Sequence, residues 1–242
     1  MTQTQIQFLG HASFKVISPE GKVILVDPWL INNPFIPDEF RNQLNVDLVL
    51  ITHGHEDHMD PNIIELIKGW NCKLIVNPIV RWYLLEHGVD GELFEPMNLG
   101  GTISVLGIKI SMVQAHHIAH IPESETKARF QHPTVGFVLQ FSDTNSVYFA
   151  GDTSVFGDMK LIGDIYNPKI AVLPIGDRFT MGPLEATYAL KLLNTKHLIP
   201  FHFGTYSMLT GTVEELRECT NEIEKLSIHS LKAGETLDCS TL

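Results

Sequence analysis

Between residues 53 and 58 the chain reads His53-Gly54-His55-Glu56-Asp57-His58, three imidazoles and an aspartate within six positions. Imidazole nitrogens and carboxylate oxygens are the donors that hold Zn²⁺ and similar divalent ions. Packing gives no reason for such a run. On a surface loop it gains little, and in a core the Asp57 charge would be expensive to desolvate unless paired or bound to metal. The spacing H-x-H-x-D-H therefore points to a metal loop.

A two-ion site needs donors from several loops at one end of the fold. His117 follows Met112-Val113-Gln114-Ala115, Asp152 follows Val147-Tyr148-Phe149-Ala150-Gly151, and His202 follows Leu198-Ile199-Pro200-Phe201. Each stands just past an apolar run, where a side chain can leave the core and face a cleft. Gly151 allows the backbone to turn sharply beside Asp152. Taken singly, each is more often a turn or cap residue than a ligand; beside the cluster at 53–58 the balance reverses and they read as candidate ligands. His116 and His117 would point to opposite faces if the strand continues, which leaves open which of them is the donor.

The elements that must position these groups can be sketched from periodicity. Residues 6–9, 13–17 and 22–26 are β-rich, with Pro19-Glu20-Gly21 as the turn between the last two. Asp47-Leu48-Val49-Leu50-Ile51 is a short apolar run that suits a buried strand leading into the histidine loop. Asp60 and Pro61 suit an N-cap and first helical position, followed by the stripe Ile63, Ile64, Leu66, Ile67 up to Gly69. A strand over 73–76, a helix over 78–87 and strands over 102–105 and 108–115 come next. The second half reads as a hairpin of 134–141 and 146–150, strands over 170–173 and 197–199, a helix over 184–193 and a charged amphipathic helix over 213–226. Residues 118–133, with Pro122, His120 and His132, show no clear period and read as a long loop, either a lid or a mobile link. Strand–helix alternation on both sides of a hairpin-rich middle suggests two sheets covered by helices. With no linker between the halves, one domain over 1–242 is expected.

Bulk properties narrow the partners. The 242 residues are 44% hydrophobic and 19% charged, ordinary for a globular chain that needs no disulfides. Three cysteines, Cys72, Cys219 and Cys239, form no C-x-x-C pair, which suits a reduced, cytoplasmic setting. The N-terminus lacks a signal-peptide pattern, and no run reaches the length of a membrane span. A net charge of −11 argues against duplex nucleic acid and anionic membranes as partners, while leaving a small anionic substrate or a second copy of the chain open.

The same residues resemble the metallo-β-lactamase superfamily, and within it the small metal-dependent hydrolases related to L-ascorbate-6-phosphate lactonase. The resemblance rests on His53-x-His55-x-Asp57-His58, His117, Asp152 and His202, together with Phe8-Leu9-Gly10-His11, Asp27-Pro28-Trp29-Leu30, Asn33-Pro34 and Met112 to His117. Ala150-Gly151-Asp152-Thr153, Asp158 to Gly163, Leu173 to Asp177, Phe179 to Pro183 and Ile199 to His202 complete it. It runs from about residue 5 to about 210, and the last thirty residues add little. It implies an α/β fold, an αββα sandwich of two mixed sheets flanked by helices, with two divalent ions in a cleft at one edge. Carried over, His53, His55 and His117 would hold one ion, Asp57, His58 and His202 the other, and Asp152 would bridge them. The family pattern A-x-H selects His117.

Such a centre implies a hydrolase in which an activated water attacks a small ester, lactone or phosphodiester. Zn²⁺ is the first choice of ion, with Mn²⁺ and Fe²⁺ also suiting the donors. Asp57 would take part in the chemistry as well as binding. His11 is expected near the cleft but outside the ligand set, orienting substrate or supplying a proton. Asp27 would hold a ligand histidine in its correct tautomer, and the Phe179–Pro183 segment would border the substrate opening. Two other classes remain as alternatives: a non-catalytic metal-binding scaffold, and a diiron redox enzyme. Against the second, relatives of that kind usually carry Glu where this chain has His55, and a flavin domain that it lacks. Cleavage of β-lactams and processing of transfer RNA are disfavoured, the first by the absence of an export signal and the second by acidity and the lack of an RNA-gripping arm.

Overall fold

The computed structural model describes residues 3–124 and 127–242, the side chains of 123–130 excepted. Two twisted sheets face each other across a shared apolar core. The first contains β1 (Gln5–Gly10), β2 (Ser13–Ile17), β3 (Val23–Val26), β4 (Leu48–Ile51), β5 (Lys73–Val76) and β13 (Thr236–Asp238), in the order β13-β1-β2-β3-β4-β5. The second contains β6 (Thr102–Val105), β7 (Ile108–Ser124), β8 (Lys127–Gln140), β9 (Ser146–Phe149), β10 (Ile170–Pro174), β11 (His197–Phe201) and β12 (Ser227–Ile228), in the order β12-β11-β10-β9-β8-β7-β6.

Each sheet is half antiparallel and half parallel. β1, β2 and β3 pair antiparallel, whereas β3, β4 and β5 run parallel. In the second sheet β9, β10, β11 and β12 run parallel, while β6 to β9 are antiparallel. The parallel strands β4, β9 and β10 are buried along their whole length, which suits their largely apolar sequences. Between the sheets, Phe14 meets Phe149 and Phe201 at ring-centroid distances of 5.6 and 5.9 Å. After the single turn α1 (Asp38–Arg41), helices α2 (Ile63–Trp70) and α3 (Pro78–Glu86) close the outer face of the first sheet through Ile63, Ile67, Val80 and Leu84. Helices α4 (Met159–Tyr166), α5 (Pro183–Leu193) and α6 (Val213–Cys219) close the second through Met159, Ala189, Leu190 and Leu216. The architecture is the expected αββα sandwich.

Several expectations need correction. Residues 125 and 126 of the expected 118–133 loop lie outside the described residues, but 118–124 and 127–133 are not a loop. They belong to β7 and β8, which continue as a ribbon beyond the sheet, with Ala119 paired to His132 and Ile121 to Arg129. Repeated register shifts, between Gln114 and Ile118 and again between Ala119 and Ile121, break the two-residue period that would have revealed a strand. Asp60 is not the cap of α2: Asn62 holds that position, and the Asp60 carboxylate instead accepts the amides of Leu30, Ile31 and Asn62. The helix expected over 213–226 ends at Cys219, where the Thr220 hydroxyl donates to the Leu216 carbonyl and competes with the helical ladder. The C-terminal residues, which add little to the resemblance, supply β12 and β13 and so an outer strand to each sheet.

Phe14 is 1% exposed and joins aromatic rings from both sheets. Phe14→Ala is expected to destabilise the fold by about 3–5 kcal/mol, read from the shift in chemical-denaturation midpoint.

Candidate metal centre

The candidate ligands leave the two sheets at the same edge. The loop after β4 carries His53 to His58, Asp152 follows β9, and His202 follows β11. These are the C-terminal ends of parallel strands, where an open α/β sheet leaves a crevice. His117 comes from β7, at the register shift that unpairs Ala115, His116 and His117 from β8. The shift turns His117 inward, while His116 is exposed and its ring stacks on Phe156 at 4.4 Å. The His116 amide is held by Thr153 Oγ1 and its carbonyl by the Ser154 amide, which ties the strand to the loop of Asp152.

His53 Nε2 lies 3.0 Å from His55 Nδ1, and His117 Nε2 lies 3.4 Å from the same atom. Asp152 Oδ2 is 3.9 Å from His53 Nε2 and 3.8 Å from His117 Nε2. On the other side Asp152 Oδ2 is 3.2 Å from His202 Nε2, and Asp152 Oδ1 is 3.2 Å from His58 Nε2. His202 Nε2 is also 3.6 Å from Asp57 Oδ2. The donors fall into three overlapping groups whose ligand atoms all lie within 4.8 Å of one another: His53, His55 and His117; His53, His58 and Asp152; and His11, Asp57, His58 and His202. Tetrahedral binding at the usual Zn–N length of about 2.0–2.1 Å sets donors about 3.3 Å apart, so the spacing suits an ion in each half.

The tautomers can be worked out from the surrounding bonds. Asp27 accepts the Thr52 amide at 2.7 Å, the Thr52 hydroxyl at 2.7 Å and His58 Nδ1 at 2.8 Å. The Thr52 hydroxyl gives its only proton to Asp27, so at its 3.0 Å contact with His53 Nδ1 the ring is the donor. Both His53 and His58 thus keep a proton on Nδ1 and aim Nε2 into the cluster, bare at the neutral His53 and, at His58, bare only once a cation displaces the second proton that Asp152 and Asp27 favour. His58 Nε2 and Asp152 Oδ1 are buried and have no hydrogen-bond partner although they face each other. Either a proton on His58 or a shared cation can stand between these two atoms, and the donor set is of the right chemistry to hold the cation.

His11 sits inside the cluster, closer than expected. Its backbone is left-handed (φ 55°), its ring is buried, Nε2 meets Asp57 Oδ2 at 3.0 Å and Nδ1 meets Thr205 Oγ1 at 2.8 Å. Asp57 can only accept, so the His11 proton is on Nε2 and Thr205 donates to Nδ1. The His11 carbonyl accepts the His202 amide, locking the β1–β2 turn to the end of β11.

The electrostatics show how much positive charge the cluster demands. Burial pushes His11 and His55 down to about 4 and His53 well below its ordinary value. Burial also opposes charge on His58 and His202, yet Asp152, joined at His58 by Asp27, raises His58 well above the imidazole range and His202 to about 9. Asp57 is disfavoured by burial, but hydrogen bonds from His11 and His202 hold it well below the usual carboxylate range. In the metal-free protein, protons therefore collect where a cation would sit.

The sequence overlooked some neighbours. Thr52 and Thr205 carry no signal of their own until their partners are known. His120 lies in the misread ribbon, its ring 5.1 Å from that of His55. Tyr206 faces His11 at 5.9 Å. Glu56 takes no part in the described contacts of the cluster. In the segment from Phe179 to Pro183, the Met181 amide donates to the carbonyl of Thr153, the residue after Asp152.

The Beta-lactamase superfamily domain matches residues 5–202 of the chain. A metal-dependent hydrolase of Rubrobacter xylanophilus is 40% identical over 235 residues, covering 97% of this chain and 96% of its own. Another, from Herpetosiphon aurantiacus, is 41% identical over 238 residues, covering 97% and 98%. Among solved structures, Igni18, a metallo hydrolase from the archaeon Ignicoccus hospitalis, matches with a TM-score of 0.81 at 30% identity over 98% of each chain.

Two outcomes are expected from this geometry. Asp27→Ala should weaken divalent-ion binding about 10- to 100-fold, measured by competition with a chromophoric chelator, because His58 loses its acceptor and the Thr52 hydroxyl that accepts from His53 loses the carboxylate that orients it. The metal-free protein should be most stable near pH 6.5. Below that, the unfolded chain protonates histidines that the fold keeps neutral down to about 4 (His11, His55), so stability falls as pH drops. Above it, the unfolded chain releases protons that the fold retains on His202 up to about 9, so stability falls as pH rises. Thermal midpoints across pH 4.5–9 in chelator check the maximum.

Proposed function

The chain belongs to the metallo-β-lactamase superfamily, and from that premise we propose that it is a metal-dependent hydrolase with a two-ion centre, acting on a small ester, lactone or phosphodiester. His53 Nε2, His55 Nδ1 and His117 Nε2 would hold one ion, and Asp57, His58 and His202 the other, with Asp152 shared. The observation that carries this is the pair of partnerless buried atoms, His58 Nε2 and Asp152 Oδ1, set within an otherwise nitrogen- and carboxylate-lined cluster. The set contains no thiolate, so Zn²⁺ is preferred and Mn²⁺ or Fe²⁺ also fit. Bound there, such ions lower the pKa of water toward neutrality and polarise the oxygen of the scissile bond.

The chain's own groups would do the rest. Asp57, with 26% of its side chain exposed, is the carboxylate with an open path to the cleft. It stays ionised, and it can accept a hydrogen bond from the attacking water while His11 Nε2–H fixes its orientation. His11, kept neutral by burial, is a proton holder rather than a source of positive charge. Asp57 and His11 together are thus the proposed catalytic pair. The loop after β10 stands between the loops of Asp152 and His202, because β10 lies between β9 and β11. Its exposed tip carries Arg178, whose guanidinium lies over the Phe179 ring at 5.7 Å. A cation there, on a chain of net charge −11, favours a small substrate with an anionic group.

Purified protein is expected to carry up to two divalent ions and to cleave one of three probes, a p-nitrophenyl ester, an aliphatic lactone or bis(p-nitrophenyl) phosphate. Chelation or the double change His53→Ala, His55→Ala should lower turnover by at least about a thousandfold. Full activity in that double variant, with its fold intact by circular dichroism, defeats the proposal.

A further inference from the structure

The β7–β8 ribbon leaves the second sheet and comes to rest on the metal loop of the first. Three contacts make the join. The Val135 amide donates to the Thr52 carbonyl at 3.1 Å. Ile121, 1% exposed, packs into the apolar cluster of the first sheet and lies so close to Gly54 that an added Cβ would stand 2.4 Å from its Cγ1. His132, 4% exposed, accepts the Gly54 amide on Nε2 at 3.3 Å.

The ring of His132 is itself held from behind. Its Nδ1 is 3.0 Å from the Pro133 carbonyl and 3.0 Å from Asn77 Nδ2. Asn77 Oδ1 caps α3 by accepting the Ile79 and Val80 amides at 3.0 Å each, so its Nδ2 faces the ring only as a donor, makes no bond to a protonated Nδ1, and leaves the Pro133 carbonyl as the acceptor that holds the ring. With Nε2 accepting from Gly54, a neutral ring carries its proton on Nδ1 and gives it to Pro133. The accepted N–H is that of the peptide joining His53 to Gly54, so this contact fixes the backbone between two histidines whose donor atoms must stay 3.0 Å apart.

We propose that His132 is a positioning residue for the metal loop: its Nε2 holds the Gly54 amide and so sets the separation of the His53 and His55 donors, coupling the ribbon of one sheet to the metal site of the other. This rests on the two-ion reading for its consequence, but not for the contact itself. It makes the ribbon part of the centre's framework, distinct from any ligand role.

The test uses the full chain with His132→Ala and His132→Gln, since the Gln Oε1 can still accept the Gly54 amide. Co²⁺ is titrated into chelator-stripped protein and followed by its visible bands, and amide hydrogen exchange is measured over residues 52–58 without metal. His132→Ala is expected to bind one Co²⁺ about tenfold more weakly, with altered bands, and to exchange faster at Gly54. His132→Gln should stay near wild type in both, even where the two variants share the same thermal midpoint. Equal behaviour of the two variants, or unchanged exchange in His132→Ala, overturns the proposal. Failure of the wild type to take up Co²⁺ would sink the two-ion reading, while the exchange measurement still decides the role of His132.

Discussion

The Asp27 carboxylate is the constraint on which the centre depends. It is buried at the end of β3 and accepts three hydrogen bonds, from the Thr52 amide, the Thr52 hydroxyl and His58 Nδ1. A buried carboxylate left bare would be strongly destabilising, so these bonds are obligatory once the fold places it there. Their directions then settle which nitrogen of His53 and of His58 faces the cluster. Asp27 is itself fixed by the first sheet: Ser13 donates to its carbonyl at 2.7 Å and accepts the Trp29 amide at 2.9 Å. The segments Gly10 to Phe14, Asp27 to Leu30 and Thr52 to His58 are therefore one hydrogen-bonded unit, although they are far apart in the chain.

The two sheets contribute unequal parts. The first supplies His53, His55, Asp57 and His58 on one loop, already oriented by Asp27. The second supplies Asp152, His202 and His117, each from a different connection, and these close the cluster from across the core. Asp152 is the residue on which the halves meet, with His58 on one oxygen and His202 on the other. Buried carboxylate charge at the junction must be balanced. Without an ion, protons on His58 and His202 do so; with one, the same nitrogens become ligands. The site is thus built to exchange protons for cations, which links metal binding to pH by composition alone.

Much of this was legible in the sequence because packing and turn formation rarely place so many donor side chains at such short spacing. The 53–58 run is such a case; strand–helix alternation suggested two helix-covered sheets, and the αββα sandwich itself came from the family resemblance. The choice between His116 and His117 was not legible from alternation, since the register shift after Gln114 breaks the period on which that reasoning depends. The same irregularity hid the ribbon, so His132 and His120 read as loop residues. Asp60 showed the opposite failure. Its position before Pro61 is a sound local signal for a cap, but a tertiary demand, the amides of Leu30 and Ile31, claimed the carboxylate instead. His11 was placed near the cleft, but its bond to Asp57 was not legible, because nothing in Gly10-His11 reveals that the turn folds back onto that carboxylate.

Backbone strain gathers at the same edge, and its placement has a physical reason. Asp27, His11 and His202 have φ of 48°, 55° and 59°, and Asp177 and Arg178 follow suit at 62° and 55°. Each left-handed non-glycine residue costs about 1 kcal/mol or more, so neighbouring contacts must compel it. For His11 and His202 the compelling contact is mutual, since the His202 amide donates to the His11 carbonyl. Such a turn throws a side chain sideways out of its strand direction at once, within a single residue. A relaxed turn would need several residues to do the same, and the donors would then sit on loops free to drift apart. The strained residues let rigid strands deliver side chains directly into a cluster only a few ångströms wide, which is the accuracy that a set of convergent ligands requires.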